Sequence, residues 1–468
     1  MKKVFFVALA TALFFSCKKE IKPSLQDDLA NKANKEKDKE KDLDDDENGN
    51  NNTGYIYTST NSSSGNAIIA LARHHDGTVN EINKSPYSTG GYGDAAEGDF
   101  DHEWALRIVG EYLLAVNAGG NPVNSSISVF KINKANGHLS QVDQNPSTPG
   151  MDNIDSRGVR AVSIASKVIN GTNWILVGNQ YANPNYQKDP PQAFGFPVVS
   201  TPLRNVVVFT FDQSKGLLQF KNIGATYIDG TNGGPCTVEF NSTGTKVAVS
   251  TWGIPHFNTP DVDLSLQKPG RLYVYTFSAG NLSQTGLYQE TGVSGNIGVS
   301  WSPNDRYIYM ANFNLHSSKE ANSVTVHDGT TAVKVQNFGT SDRNDEACWT
   351  WVSLDNRKLH VASFTSNAVS SFDIGADNKL SVSLHPNYVI RRGVPRVDTK
   401  DMHEADGYLF VSGAFQSHSI STFKRNESTG ALTEIPSSPY FIPSVAGKTS
   451  DQVAFMGLTG FDKNNLDQ

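Results

Sequence analysis

Cysteine is scarce in this chain, 3 residues in 468. Cys17, Cys236 and Cys348 are too few and too scattered to frame a fold with disulfides. No apolar run is long enough to span a bilayer as a helix; the longest, from Val4 to Phe15, falls well short. There is no basic patch with interleaved aromatics, and the net charge of −7 is spread along the chain, which argues against nucleic acid as a partner. Histidines and cysteines at metal-ligand spacing are lacking too: His256 and His316 stand singly, and no Cys–His arrangement supports a nucleophile. Neither a metal nor a cofactor is implied.

What is present begins with "MKKVFFVALATALFFSCKKE". Two lysines precede the short apolar run, the pattern of a secretory signal, and no A-x-A cleavage pattern follows it. Instead Ser16 and Cys17 close the run, which resembles a bacterial lipobox. That resemblance implies a signal peptide over 1–16, acylation of Cys17, and anchoring to a membrane, expected to be the outer membrane of a cell envelope. Residues 17–53 are dense in mixed charge and poor in apolar groups, so they read as a solvated tether. The stretch "DLDDDENGNNN" fails as an EF-hand, because Tyr55 stands where the bidentate Glu belongs.

From residue 54 to 468 no linker interrupts the chain, and two units recur. One is an apolar strand ending in small or polar residues: "YIYTSTN" (55–61), "YLLAVNA" (112–118), "WILVGNQ" (174–180), "KVAVSTW" (246–252), "YIYMANF" (307–313), "LHVASFT" (359–365) and "LFVSGAF" (409–415). The other is a hairpin, as in "FKINKANGHL" (130–139) and "FKRNESTGAL" (423–432). Most copies of the first unit follow a tight polar turn and a further apolar strand, such as "CTVEF". Each repeat therefore reads as a four-stranded antiparallel meander, a–b–c–d. Seven of them predict an all-β, seven-bladed β-propeller. The first repeat lacks an a strand, and "SDQVAFMGLTGF" (450–461) is left over after the last. The ring is expected to close by that C-terminal strand.

In such a meander the a–b and c–d turns share one face, and the b–c loops and d–a crossovers share the other. Nearly all the long insertions, 181–204 and 252–270 among them, fall on the second face, which is therefore the expected binding face. Residues opening the a strands should line the channel mouth there: His102, Glu103, Arg157, Arg160, Cys236, Glu239, Asp345, Glu346, Lys400, Asp401, His403 and Asp451, with Arg391 in a crossover. Arg160 and Glu239 stand out because each reads as a charge within an apolar strand, and they are placed to pair with each other.

The stretches "SGNAIIALARHHDGTVNEI" (64–82), "GGPCTVEFNSTGTKVAVS" (233–250), "EACWTWVSLDNRKLHVASFTSNAVSSFDI" (346–374) and "GYLFVSGAFQSHSISTFKRNESTGALTEI" (407–435) resemble the seven-bladed lactonase-like propeller family. That family includes propeller-type 6-phosphogluconolactonases and carboxymuconate-cyclase-like proteins. The resemblance implies the fold, and it implies acid–base chemistry by His, Glu and Arg near the channel. Arg160, Glu239 and His403 are the corresponding catalytic candidates. Arg157, His102, Glu103, Glu346, Arg391 and Asp401 are the candidate ligand-binding residues. The blade-three a strand, "RGVRAVSI", carries Arg160 where the family pattern leads one to expect a histidine. Two functions follow. The loop-rich face of a lipid-anchored propeller binds a small acidic molecule, a glycan, a peptide or a protein; alternatively, it opens or forms a lactone.

Overall fold

A meander of four strands leaves two apolar faces uncovered, and repeating it around an axis covers both. The computed structural model describes residues 52–95, 102–119, 125–181, 203–227, 233–253, 268–313, 322–341, 345–382 and 388–463. These form seven antiparallel sheets, hereafter blades one to seven. The calls on the signal peptide, Cys17, almost the whole tether, His256 and His316 lie outside the described residues.

The ring closes as expected. Met456–Asp462 pairs with Asn52–Ser59 and is the inner strand of blade one. The strand starts later than the sequence pattern suggested, because 450–455 form turns and irregular backbone. The other inner strands are Leu106–Val109, Ala161–Ile169, Pro235–Phe240, Gly295–Trp301, Ala347–Val352 and Thr399–Ala405, in blades two to seven. Blades three, four and five have four strands. In the other four, a fifth short strand pairs with the c strand beyond the d strand. This shortens the exposed outer edges, which limits strand addition from outside.

Apolar side chains fill the spaces between neighbouring blades. Leu114, Val116 and Val129 of blade two meet Val162, Ile164 and Ile175 of blade three. Val206 and Val208 of blade three meet Val238, Val247 and Val249 of blade four. The recurring hairpin has a second task here. Gly137 turns the chain with φ 71°, a conformation that glycine adopts without a Cβ penalty. A methyl group there would collide with the ring of Tyr55 in blade one. Tyr57 donates through its hydroxyl to Gly137 O at 2.9 Å. Gly77, Gly216 and Gly280 receive Tyr408, Tyr112 and Trp174 of the preceding blade in the same way. The repeated turn is thus a socket for the neighbouring blade's b-strand aromatic.

Candidate functional site

Each blade presents its inner strand edge-on to the central channel, and buried backbone N–H groups on that edge need acceptors. The chain supplies them from within. In blade two, residues 102–105 leave the sheet, which is why its inner strand has only the four residues from Leu106 to Val109. They cross the channel instead. Val116 N donates to Ala105 O at 3.1 Å, Ile164 N to Trp104 O at 2.8 Å, and Glu103 N to Cys236 O at 3.3 Å. The Glu103 carboxylate accepts from Val299 N at 3.1 Å and Thr350 N at 2.7 Å. Trp349 Nε1 donates to His102 O at 2.6 Å. One tetrapeptide therefore bonds to blades two through six. Asp401 Oδ2 accepts from Gly457 N at 3.0 Å and links blade seven to blade one.

His102 and Glu103 are consequently not at the channel mouth, as the sequence pattern suggested, but inside the channel, 0% and 4% exposed. Neither His102 ring nitrogen has a hydrogen-bond partner among the described residues. Burial, with a smaller contribution from the Lys400 charge, pushes its imidazole well below the ordinary range. Burial drives the Glu103 carboxyl well above the usual carboxylate range, against the pull of its two backbone donors.

Trp104 sits in left-handed backbone, φ 66°, rare for a bulky residue and held only where the surroundings fix it. Its indole stacks on Trp351 at 5.4 Å, with the planes tilted by 42°. The Arg107 guanidinium lies 3.9 Å over the Trp104 ring, a favourable cation–π placement. Arg107 forms an ion pair with Glu239 and donates through Nε to Ile164 O at 2.9 Å. On the far side, Trp351 meets the His403 ring edge-on at 5.5 Å. A continuous row thus crosses the channel from blade four to blade seven: carboxylate, guanidinium, two indoles, imidazole.

At the turn-side end of this row is a pocket of about 190 Å³. Its lining includes Trp104, Glu239, Ser300, Trp301 and Trp351. Two of the indoles are fixed by hydrogen bonds: Trp301 Nε1 donates to Glu239 O at 3.1 Å, and Trp351 Nε1 to Glu404 Oε2 at 3.3 Å. Burial raises the Glu239 carboxyl, and the Arg107 charge and hydrogen bond oppose that rise. The His403 imidazole is lowered to about 3, first by burial and then by the Arg73 charge. It is neutral through the physiological range.

Of the catalytic candidates, Glu239 lines the pocket and His403 closes the far end of the row. Arg160 is elsewhere. It precedes the strand Ala161–Ile169 rather than lying within it, at the loop-side end of blade three. Its partner is not Glu239: Arg160 Nε donates to Asp94 at 2.8 Å and Nη1 to Tyr181 O at 2.9 Å. Glu239 takes Arg107 instead. Among the other nominated residues, Arg391 is buried in an ion pair with Asp398 at 3.0 Å. Arg157 is half exposed on the loop side, over the Phe220 ring at 5.2 Å. Glu346 lies at the loop-side start of blade six, where its N–H donates to Asp345 at 2.7 Å and its carbonyl accepts from Phe364 N. Cys236 and Cys348 are buried and form no disulfide.

Sequence reasoning passed over Trp104, Arg107, Trp301 and Trp351. The signal for Arg107 was there: in "WALRIV" it is a charge inside an apolar strand, the criterion that selected Glu239. The insertions 182–202 and 254–267, on which the loop-face expectation rests, lie outside the described residues.

No protein-family model matches the chain, and no curated protein matches it. Solved structures do share its fold. A candidate 6-phosphogluconolactonase from Bacteroides fragilis is 14% identical with a TM-score of 0.58, over 88% of this chain and 98% of that one. A second, from Bacteroides uniformis, is 14% identical with a TM-score of 0.57, over 88% and 100%. A periplasmic gluconolactonase from Pseudomonas aeruginosa is 14% identical with a TM-score of 0.58, over 86% and 99%. At such identities the likeness is one of fold: this chain shares the propeller fold of these structures.

Proposed function

We propose that the protein is an envelope lipoprotein, tethered through a lipid on Cys17, whose propeller binds a small sugar-derived acid or its lactone in the tryptophan-walled pocket. The observation that carries this reading is the Glu239–Arg107 pair set beside Trp104, Trp301 and Trp351. Indole faces stack on the C–H faces of a sugar ring, while the carboxylate accepts from hydroxyls and the guanidinium holds a carboxylate or lactone carbonyl. At about 190 Å³ the pocket takes a ligand of single-ring size, below the range of sites for larger molecules. The site lies on the turn side, not on the loop side that the sequence pattern favoured.

Turnover is the second reading, and one observation favours it. Burial raises the Glu239 carboxyl, bringing it nearer the range useful to a general base or acid. The gluconolactonase named above shares the fold. Titration of the purified protein with D-gluconate, followed by tryptophan fluorescence, tests binding; hydrolysis of glucono-1,5-lactone by wild type and Glu239→Gln tests turnover. Saturable quenching that is lost in a Trp351→Ala variant supports the site. Absence of binding for every sugar acid and lactone tried rejects it, and hydrolysis unchanged by Glu239→Gln rejects the catalytic role.

A further inference from the structure

The polar end of the pocket is a single ion pair with few competitors. Arg107 comes from the inner strand of blade two and Glu239 from that of blade four. Glu239 lines the pocket and Arg107 lies directly behind it in the ion pair, their side chains 21% and 17% exposed, so a ligand group that takes the place of the Glu239 carboxylate meets the guanidinium. Arg107 is held from behind by Ile164 O through Nε, and from one face by the Trp104 ring. Its position therefore does not depend on Glu239. Among the described residues, the Glu239 carboxylate has no comparable second anchor. Besides Arg107, the charge that helps to hold this carboxylate ionised is that of Lys167 on blade three, and Lys167 contributes less than Arg107.

A ligand carboxylate entering this pocket competes with Glu239 for the one guanidinium. Two buried carboxylates cannot share it without strong repulsion. We propose that a sugar acid binds by taking Arg107 from Glu239, and that Glu239 then accepts one proton from solvent, so that the acid and a proton enter together. This rests on the reading of the pocket as a sugar-acid site. It goes further in assigning the ligand's carboxylate to Arg107 and a proton-accepting role to Glu239. Charge balances: one anion and one proton enter, and the pair Arg107⁺/Glu239⁻ becomes Arg107⁺/ligand⁻ beside a neutral Glu239. A neutral sugar has no such coupling, because it leaves the ion pair intact.

The experiment is calorimetric titration of the whole protein with D-gluconate in buffers of differing ionisation enthalpy, repeated with uncharged D-glucose. The expected result is uptake of about one proton per gluconate near neutral pH, with the dissociation constant rising up to about tenfold per pH unit from pH 6 to 8. Glucose, if it binds, shows neither. In Glu239→Gln, which cannot accept the proton, gluconate binding becomes independent of pH. Gluconate binding whose heat does not depend on the buffer and whose affinity is flat with pH overturns the proton coupling while leaving the pocket assignment standing. Failure of gluconate to bind at any pH overturns both.

Discussion

Replacing Glu103 with alanine removes the acceptor on which two buried backbone donors depend. Val299 N and Thr350 N then face the place of the lost carboxyl without a partner, and each orphaned group costs about 1–3 kcal/mol. Loss of the buried side chain opens a cavity beside them, which brings the total to about 4–8 kcal/mol. For a domain of this size the unfolding entropy is about 0.85 kcal/mol/K, so the melting temperature should fall by about 5–9 °C. Glu103→Gln is milder, because the amide keeps one acceptor and resembles the neutral acid. Burial holds the Glu103 carboxyl well above its unfolded value. Its contribution to stability is therefore complete below the unfolded pKa near 4.5 and declines as pH rises toward the folded one. The glutamine variant loses that slope. Thermal unfolding of wild type, Glu103→Ala and Glu103→Gln between pH 5 and 8 measures all of this. A melting temperature within 1 °C of wild type for Glu103→Ala would refute the view that residues 102–105 hold the blades together.

Gly137→Ala should cost more than Gly171→Ala. Both glycines have positive φ, 71° and 76°, but only Gly137 faces a neighbour, the Tyr55 ring, while Gly171 faces open space; urea midpoints compare the two, and equal losses would reject the socket. Arg107→Met leaves Glu239 buried without its cation, at a cost of about 3–5 kcal/mol. Adding Glu239→Gln should recover much of this in chemical denaturation, whereas a double variant no more stable than Arg107→Met would show that the pair is not coupled. His403 and His360 are lowered to about 3 and His327 to about 4. Each contributes stability that is present above the unfolded value near 6.5 and is lost as pH falls, by up to about 1.4 kcal/mol per pH unit; imidazole resonances that titrate near 6.5 in the folded protein would contradict their burial. Cys17→Ser should move the protein from the membrane fraction to the soluble one and abolish incorporation of labelled fatty acid; unchanged partitioning would exclude a lipid anchor at that residue.

The blades were legible because strand alternation and turn chemistry are local. "FKINKANGHL" contains its turn glycine, its alternation and its boundary within ten residues, and the leftover C-terminal strand could be matched to the missing a strand of the first repeat. The departure of residues 102–105 from the sheet was not legible. "DHEWALRIV" reads as one continuous strand, and nothing in its pattern says that residues 102–105 should leave the sheet. That choice is made by the N–H groups of Ile164, Val299 and Thr350 and the carbonyl of Cys236, on blades three to six and far away in sequence. Glu239 was found because a carboxylate in an apolar strand is conspicuous. Its partner was misassigned to Arg160, because adjacency of blades was taken as adjacency of side chains. Arg160 lies at the loop-side end of blade three, whereas Arg107 reaches across from blade two along the Trp104 face.

The same open edges account for the position of the pocket. A channel walled by inner strands presents unsatisfied donors along its length, and either water or an inserted segment must meet them. Here residues 102–105 meet them in the middle of the channel, and their backbone turns left-handed at Trp104. That turn puts the indole against Trp351 and under Arg107, which floors the turn-side end and leaves Glu239 and Trp301 as its wall. The segment that satisfies the channel is thus also the one that shapes the binding site. A change at Glu103 should therefore weaken ligand binding as well as stability, although Glu103 itself does not line the pocket.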